Sequence, residues 1–326
     1  LALSALNTLV LDEADRMLDM GFAEDIAAII RRCPPTSRRQ TLLFSATYPD
    51  NVAKMAARYL RDPKEVRLAE RHTADRIQQR FYQVTDNERL HAVGLLLNHF
   101  RPETTLAFCN TKQQCRDLVE VLRAEGIVAL ELHGDLEQRE RDQVLVQFAN
   151  RSCSVLVATD VAARGLDIER LEAVINVDIT PEIEMHTHRI GRTGRAGESG
   201  LVFSLASLDE MGRVGKIDEM QGVESVWHPL ADLERTHPGA DERSTEPLSP
   251  PMVTLQILGG RKEKIRPGDV LGALTKDLGL EATCVGKIDI NEFSTYVAVR
   301  RDAADEALKG LNAGRVKGRS VKVRRL

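Results

Sequence analysis

Paired cysteines are the first thing this sequence lacks. Cys33, Cys109, Cys115, Cys153 and Cys284 are odd in number, scattered and never spaced C-x-x-C, which argues against both a disulfide framework and a zinc site. A reducing, cytoplasmic location is the expectation that follows. Long apolar runs are also missing. None approaches the roughly 18 residues that span a bilayer, and the longest candidates, such as Thr41 to Ala46, are strand-sized. The chain opens Leu1-Ala2-Leu3 with no basic segment and cleavage site, so it is no signal peptide and reads as a piece whose upstream part is absent. Finally, the spacing G-x-x-x-x-G-K-[ST] occurs nowhere. Gly215-Lys216-Ile217 and Gly286-Lys287-Ile288 lack both its spacing and its hydroxyl, so no phosphate loop of amides and lysine is provided.

What is present is an ordinary globular composition, 42% hydrophobic and 29% charged, which excludes a disordered tail, a collagen-like repeat or a coiled coil. At 326 residues two or three domains are expected. The net charge of -4 hides an asymmetry. Residues 252–326 carry 15 basic against 9 acidic side chains, whereas the first 251 carry 30 against 40. A basic module on an acidic body suggests a dedicated polyanion-binding end.

Short apolar runs alternate with helical spacing through the first two thirds. Thr8 to Leu11, Thr41 to Phe44, Thr105 to Phe108, Val128 to Leu132, Val155 to Ala158 and Ala173 to Val177 have strand length, while Asn51 to Leu60, Glu88 to Phe100, Lys112 to Glu125 and Glu137 to Phe148 repeat at three and four residues. That succession predicts a parallel sheet covered by helices, with ligands beyond the carboxyl ends of its strands. A charged, irregular stretch before the strand-like run Gln79 to Val84 predicts a hinge at 69–78 between a first unit, 1–68, and a second, 79–231. Residues 232–251 hold four prolines and many charges, which predicts an exposed linker. Beyond it, residues 252–326 read as strand Val253 to Leu258, helix Pro267 to Gly279, strands Cys284 to Asp289 and Thr295 to Arg300, helix Ala303 to Asn312 and strand Ser320 to Arg324. This β-α-β-β-α-β order is the ferredoxin-like arrangement of RNA recognition modules.

Asp12-Glu13-Ala14-Asp15 follows the first apolar run. Carboxylates gathered at a strand end repel one another unless a cation or its bound water is shared, which suits magnesium binding in nucleotide hydrolysis. The tetrapeptide alone reads equally well as a solvated helix start. His188 to Arg195 sets three arginines among two glycines, and the guanidinium fork suits a transferring phosphate; a basic surface turn is the plain alternative. His133, His186 and His188 supply no third clustered ligand for a metal.

Taken together, Asp12 to Asp15, Ser45-Ala46-Thr47, Thr159-Asp160 with Ala163 to Asp167, and His188 to Arg195 agree in order and spacing with the DEAD-box RNA helicases, and the chain resembles that family over its whole length. The basic tail, with Gly260 to Asp269 and Gly286 to Ile290, is similar to the RNA-binding domain of the DbpA subfamily. The resemblance implies an α/β fold: part of one RecA-like domain, then a complete RecA-like helicase C-terminal domain of the P-loop NTPase superfamily, then an α+β RRM-like domain.

It also implies roles. Asp12 (toward Mg2+ through water), Glu13, His188, Arg192 and Arg195 would be catalytic, with Arg192 and Arg195 as arginine fingers. Asp15, Ser45, Thr47 and Asp167 would serve ATP, Asp167 at its ribose. Asn110, Thr111, Gly134, Thr159, Asp160, Arg164, Gly165 and Arg189 would face RNA, as would Lys287, Tyr296 and Arg319 in the tail. The family's phosphate loop should lie upstream of Leu1, so these residues alone are expected to be inactive. The tail offers few aromatics for stacking, only Phe293 and Tyr296, and Tyr296 reads equally as a half-buried sheet residue, so recognition by charge and shape is favoured. The implied partners are a structured hairpin of large-subunit rRNA and a pre-ribosomal particle, with no membrane, for a monomer. A generic DEAD-box helicase without rRNA preference, a DNA translocase and a non-catalytic RNA-binding adaptor are the rivals.

Overall fold

The computed structural model describes residues 3–67, 77–163, 166, 171–194, 199–234 and 248–326. Its internal contacts divide the chain into two units, 1–70 and 71–326.

In the first unit, strands β1 (Thr8–Leu11) and β2 (Gln40–Leu43) pair in parallel, Thr8 opposite Gln40. Helices Ala14–Asp19, Ala23–Ile30 and Asp50–Tyr59 accompany them. Leu11, Ala14, Ile26, Ile30, Val52 and Met55 form the core. The small pair of strands turns both carboxyl ends, and hence residues 12–15 and 44–47, to the same edge.

The second unit holds seven parallel strands: β3 (Ile77–Gln83), β4 (Thr105–Cys109), β5 (Ala129–Leu132), β6 (Val155–Thr159), β7 (Ala173–Asn176), β8 (Gly200–Ala206) and β9 (Trp227–His228), in the order β5-β6-β4-β7-β8-β3-β9. Both faces of this sheet are covered. Ala107, Val155 and Val157 belong to one core cluster with Leu96, Leu118 and Phe203, while their neighbours Leu106, Phe108 and Leu156 belong to another with Phe148 and Ile190. Period-two alternation between two apolar layers explains why the central strands read as unbroken hydrophobic runs. Helices Arg89–Phe100, Lys112–Ala124, Gln138–Ala149, Ile183–Ile190 and Met211–Gln221 connect the strands.

Four antiparallel strands complete the chain: β10 (Met252–Ile257), β11 (Val285–Ile290), β12 (Thr295–Arg300) and β13 (Val323–Arg325), ordered β11-β12-β10-β13. Val253, Leu255, Ile257, Val297 and Val299 point from them to helix Ala304–Ala313 and to the helical segment after Arg266. The α/β and RRM-like architecture expected from the sequence is thus present.

Several expectations are corrected. The helix predicted over Pro267 to Gly279 is α-helical only at Pro267–Gly272; it widens to a π-turn at Ala273–Asp277 and stops at Gly279, whose φ of 75° is left-handed. The last strand is Val323–Arg325 rather than Ser320 to Arg324. The predicted exposed linker is not exposed at its ends, because Leu233 and Leu248 are buried in the same core as Leu96 and Phe203, and Pro250 is buried too. Its interior, 235–247, and most of the predicted hinge, 69–76, lie outside the described residues.

Candidate functional site

In the first unit the acidic motif and the hydroxyl motif are joined. Asp15 is buried, its amide donates to Ser45 Oγ (3.1 Å), and its Oδ2 accepts the Thr47 amide (2.8 Å) and the Thr47 hydroxyl (2.7 Å). Burial alone raises the Asp15 carboxyl, but hydrogen bonds from Thr47, the Arg16 amide and Ser45 outweigh it and hold the group below its ordinary value. The three carboxylates do not gather around one point, contrary to the sequence expectation. Asp15 turns to Thr47, Glu13 pairs with Arg16 (2.7 Å), and Asp12 stands exposed with Oδ1 accepting the Glu13 amide at 2.9 Å. Glu13 adopts φ 50°, a left-handed conformation that costs a residue with a β-carbon about 1 kcal/mol or more. The tight turn it makes leaves Asp12 at the mouth of the strand. An exposed carboxylate with unfilled lone pairs fits a hydrated divalent cation held through water, and Asp12 is the one of the three placed for it.

In the second unit, parallel strands bring residues distant in sequence to one edge. Asn110 and Thr111 follow β4, His133 and Gly134 follow β5, Thr159 and Asp160 end β6, and Asp178 follows β7. Thr111 caps helix Lys112–Ala124, its Oγ1 accepting the Gln114 amide at 3.2 Å. Gly134 is exposed beside the Asp135 carboxylate, which pairs with Lys112 and Arg116 and is held low by their hydrogen bonds.

Arg189 crosses beneath this edge. Its Nε and Nη2 donate to the two oxygens of Asp160 at 2.7 Å each, Nη1 donates to the Asp178 carbonyl (2.8 Å), and Nη2 also reaches Asn110 Oδ1 (3.1 Å). The guanidinium lies over the Phe108 ring, 5.1 Å from its centre, and only 1% of the residue is exposed. The expectation that Arg189 touches RNA is therefore corrected: its donors are consumed inside the protein, and it positions Asn110 and Asp160. Of the other arginine-motif residues, His188 and Arg192 are half-buried, and Arg192 Nη1 donates to the Leu166 carbonyl at 3.0 Å. Arg164, Gly165, Asp167 and Arg195 lie outside the described residues.

Sequence reasoning missed three members of the network. The Asp178 carboxylate accepts the Asn110 amide (2.9 Å) and the Gln114 side chain (2.9 Å), buried Arg89 lies 3.5 Å from it, and Arg89 in turn holds Glu210 at 2.7 Å. Asp178 could have been found, because it follows an apolar run just as Asn110 and Asp160 do. Arg89 and Glu210 carry no such signal.

In the tail, Lys287 and Arg319 are exposed, and Lys287 lies 3.6 Å from Asp289. Tyr296 is not: it keeps 4% exposure and its hydroxyl accepts from Gln256 Nε2 at 3.2 Å, which corrects its assignment to RNA and favours the alternative of a sheet residue, buried more deeply than expected.

Comparison with known proteins agrees with this geometry. Family profiles match at residues 1–55 (DEAD/DEAH box helicase), 87–197 (Helicase conserved C-terminal domain) and 254–325 (DbpA RNA binding domain). The ATP-dependent RNA helicase DbpA of Escherichia coli is 47% identical over 325 residues, covering 100% of this chain and 69% of that protein. The chain belongs to the DEAD-box ATP-dependent RNA helicases, DbpA subfamily. The DbpA of Bacillus subtilis is 34% identical across 99% of this chain and 70% of its own length. Among solved structures, S. cerevisiae Dbp5 bound to RNA and ADP BeF3 is 29% identical with a TM-score of 0.65, over 71% of this chain and 62% of that one. In this DEAD-box helicase the acidic motif is thus tied to the hydroxyl motif through Asp15, and among the described residues no helix is long and apolar enough to cross a membrane.

Proposed function

We propose that the protein uses ATP with magnesium to close its two RecA-like domains on RNA and locally separate a duplex, and that its tail holds it at a structured hairpin of large-subunit rRNA during ribosome assembly. The proposed division is 1–68, 79–231 and 252–326. The observation that carries the reading is the convergence of Asn110, Thr111, Gly134, Thr159 and Asp160 on one strand edge, fixed from beneath by Arg189. The exposed Thr111 and Gly134 there suit a ribose-phosphate backbone, which needs donors but little base information.

Asp12 would hold the magnesium through water, Glu13 would orient the attacking water, and Arg192 with Arg195 would meet the triphosphate. Magnesium and ATP supply the charge and the phosphoryl group; the chain supplies orientation. A cytoplasmic monomer acting on pre-ribosomal particles is the setting proposed. Because residues 1–326 contain no G-x-x-x-x-G-K-[ST], they hydrolyse no ATP by themselves on this reading.

The test is binding of the 326-residue chain to a large-subunit rRNA hairpin and to a scrambled hairpin of equal length at two salt concentrations, with ATP turnover measured alongside. A cognate preference that survives higher salt, with no turnover, is expected. Equal binding that collapses with salt leaves a general polyanion patch. RNA-stimulated turnover by this chain overturns the claim of inactivity.

A further inference from the structure

The sheet of the tail is closed at its centre. On β10 and β12 the central residues opposite the helical layer are Thr254, Gln256, Tyr296 and Ala298, paired Thr254 to Ala298 and Gln256 to Tyr296, and none keeps more than 4% exposure, whereas the outermost pair of that face, Met252 and Arg300, is half-buried and exposed respectively. What closes it belongs partly to the helicase C-terminal domain. Asn150 Nδ2 donates to Thr254 Oγ1 (3.1 Å), Ser152 Oγ shares a hydrogen with it (2.6 Å), and the Met252 amide reaches the Arg151 carbonyl (3.3 Å). Arg324 Nε fills Gln256 Oε1 at 2.7 Å. Bases cannot stack on a Tyr296 ring that is buried within the chain itself.

Exposed aromatic and basic groups collect instead at one end of that sheet. Antiparallel pairing brings three loops there: 258–266 after β10, 291–294 between β11 and β12, and 316–319 before β13. They are bound into one body. The Arg261 and Lys262 amides donate to the carbonyls of Asn291 (2.9 Å) and Glu292 (3.1 Å), and the Lys317 ammonium reaches the Lys264 carbonyl. The approach is so close that a β-carbon at Gly260 would stand 2.2 Å from the Asn291 oxygen. Phe293 caps the hairpin with 61% of its surface exposed and the Lys262 ammonium 4.4 Å from its ring centre. Around it Arg261, Lys264, Lys317 and Arg319 are all exposed.

We infer that this loop end, and not the sheet face, is the RNA-binding surface of the tail: Phe293 stacks on an unpaired base while Arg261, Lys262, Lys264, Lys317 and Arg319 hold the flanking phosphates. The site rests on the reading that the tail binds a hairpin. Charge selects a polyanion. The exposed ring beside an ammonium selects one with accessible bases, a hairpin loop rather than a continuous duplex. The rigid backbone frame keeps these groups in place before binding, so little ordering is needed.

The test uses the 326-residue chain and the rRNA hairpin of the preceding experiment. Phe293→Ala should weaken binding about fivefold or more, the loss of one stacked base. The triple substitution Lys262→Gln, Lys317→Gln, Arg319→Gln should weaken it about tenfold or more and reduce the slope of log affinity against log salt by about two. Tyr296→Phe, which keeps the buried ring, should bind as the parent does. All the weakening substitutions are on the surface, and circular dichroism verifies the fold. If the parent prefers the hairpin and the loop-end variants bind equally well, the site is overturned while the targeting reading stands. If the parent shows no hairpin preference, the targeting reading falls and this site with it.

Discussion

A single oxygen of Asp15, Oδ2, accepts both the amide and the hydroxyl of Thr47, 32 residues away in sequence. The two motifs are therefore one structural object, and the hydroxyl is the part that a substitution can remove cleanly. Thr47→Val should destabilise the chain by about 1–2 kcal/mol, because a buried carboxylate loses a donor while the shape is kept, whereas Thr47→Ser should be nearly neutral. The Asp15 carboxyl is held below 3.8, so its stabilisation is fully present above that value and is lost as pH falls through the lower folded value. Urea unfolding of both variants from pH 7 downward checks this. Equal midpoints for Thr47→Val and the parent at pH 7 would sink it.

Arg189 should not tolerate lysine. The two bonds of 2.7 Å to Asp160 need a planar fork, and an ammonium, with three donors on a single nitrogen, cannot span the five acceptors that surround the guanidinium. Arg189→Lys is expected to cost about 2–3 kcal/mol, less than the roughly 3–5 for removing one partner of a buried ion pair outright, because lysine keeps the charge. The RNA-backbone contacts proposed for Asn110 should weaken with it, since Asn110 Oδ1 is held by the same guanidinium. Denaturant midpoint and RNA affinity measured on one preparation report both effects. A variant within about 0.5 kcal/mol of the parent, the ordinary scatter of surface substitutions, is incompatible with the network.

His186 supplies an acid-sensitive term. Burial first, and the Arg189 charge second, push its imidazole down to about 4, with Asp218 opposing weakly. It sits against Phe81, ring centres 6.3 Å apart, with Nε2 3.3 Å from Gln79 Oε1. A base whose folded value lies below its unfolded value of 6.5 stabilises the fold fully above 6.5. That stability drains as pH falls from 6.5 toward 4, by roughly 3 kcal/mol in all. His186→Gln should flatten the stability profile in this window, whatever it costs at pH 8. An unchanged slope between pH 6.5 and 4 rejects the assignment.

Which parts of this could be read from the chain follows from what each residue touches. Strands such as β4, Thr105–Cys109, were legible because burial on both faces leaves an uninterrupted apolar run. Strand β8, Gly200–Ala206, went unrecognised although it lies between β7 and β3; Ser204 interrupts its apolar pattern and is satisfied there by Asn176 Nδ2 at 3.0 Å. The motifs were legible as motifs, and their partners were not. An arginine in a basic segment reads as exposed until Asp160 and Asn110 are brought beside it by β6 and β4. Tyr296 reads equally as an RNA contact and as a half-buried sheet residue until the centre of its face is seen closed, with Asn150 reaching Thr254 from 104 residues earlier in the chain.

That last contact makes the tail part of the helicase domain rather than a tethered passenger. Thr254 is fully buried, and its hydroxyl is the shared partner of Asn150 and Ser152. Thr254→Val keeps the volume and strands both partners without a bond, a loss of about 1–3 kcal/mol concentrated at this junction. In the parent, residues 77–326 should unfold in one transition by fluorescence of Trp227 and by far-ultraviolet dichroism. In Thr254→Val the tail should melt first, so that the two signals separate, and adding Ser152→Ala should bring them partly back together by removing one stranded hydroxyl. Coincident transitions at the parent midpoint in Thr254→Val would show that the hydrogen bonds to Asn150 and Ser152 do not hold the tail in place.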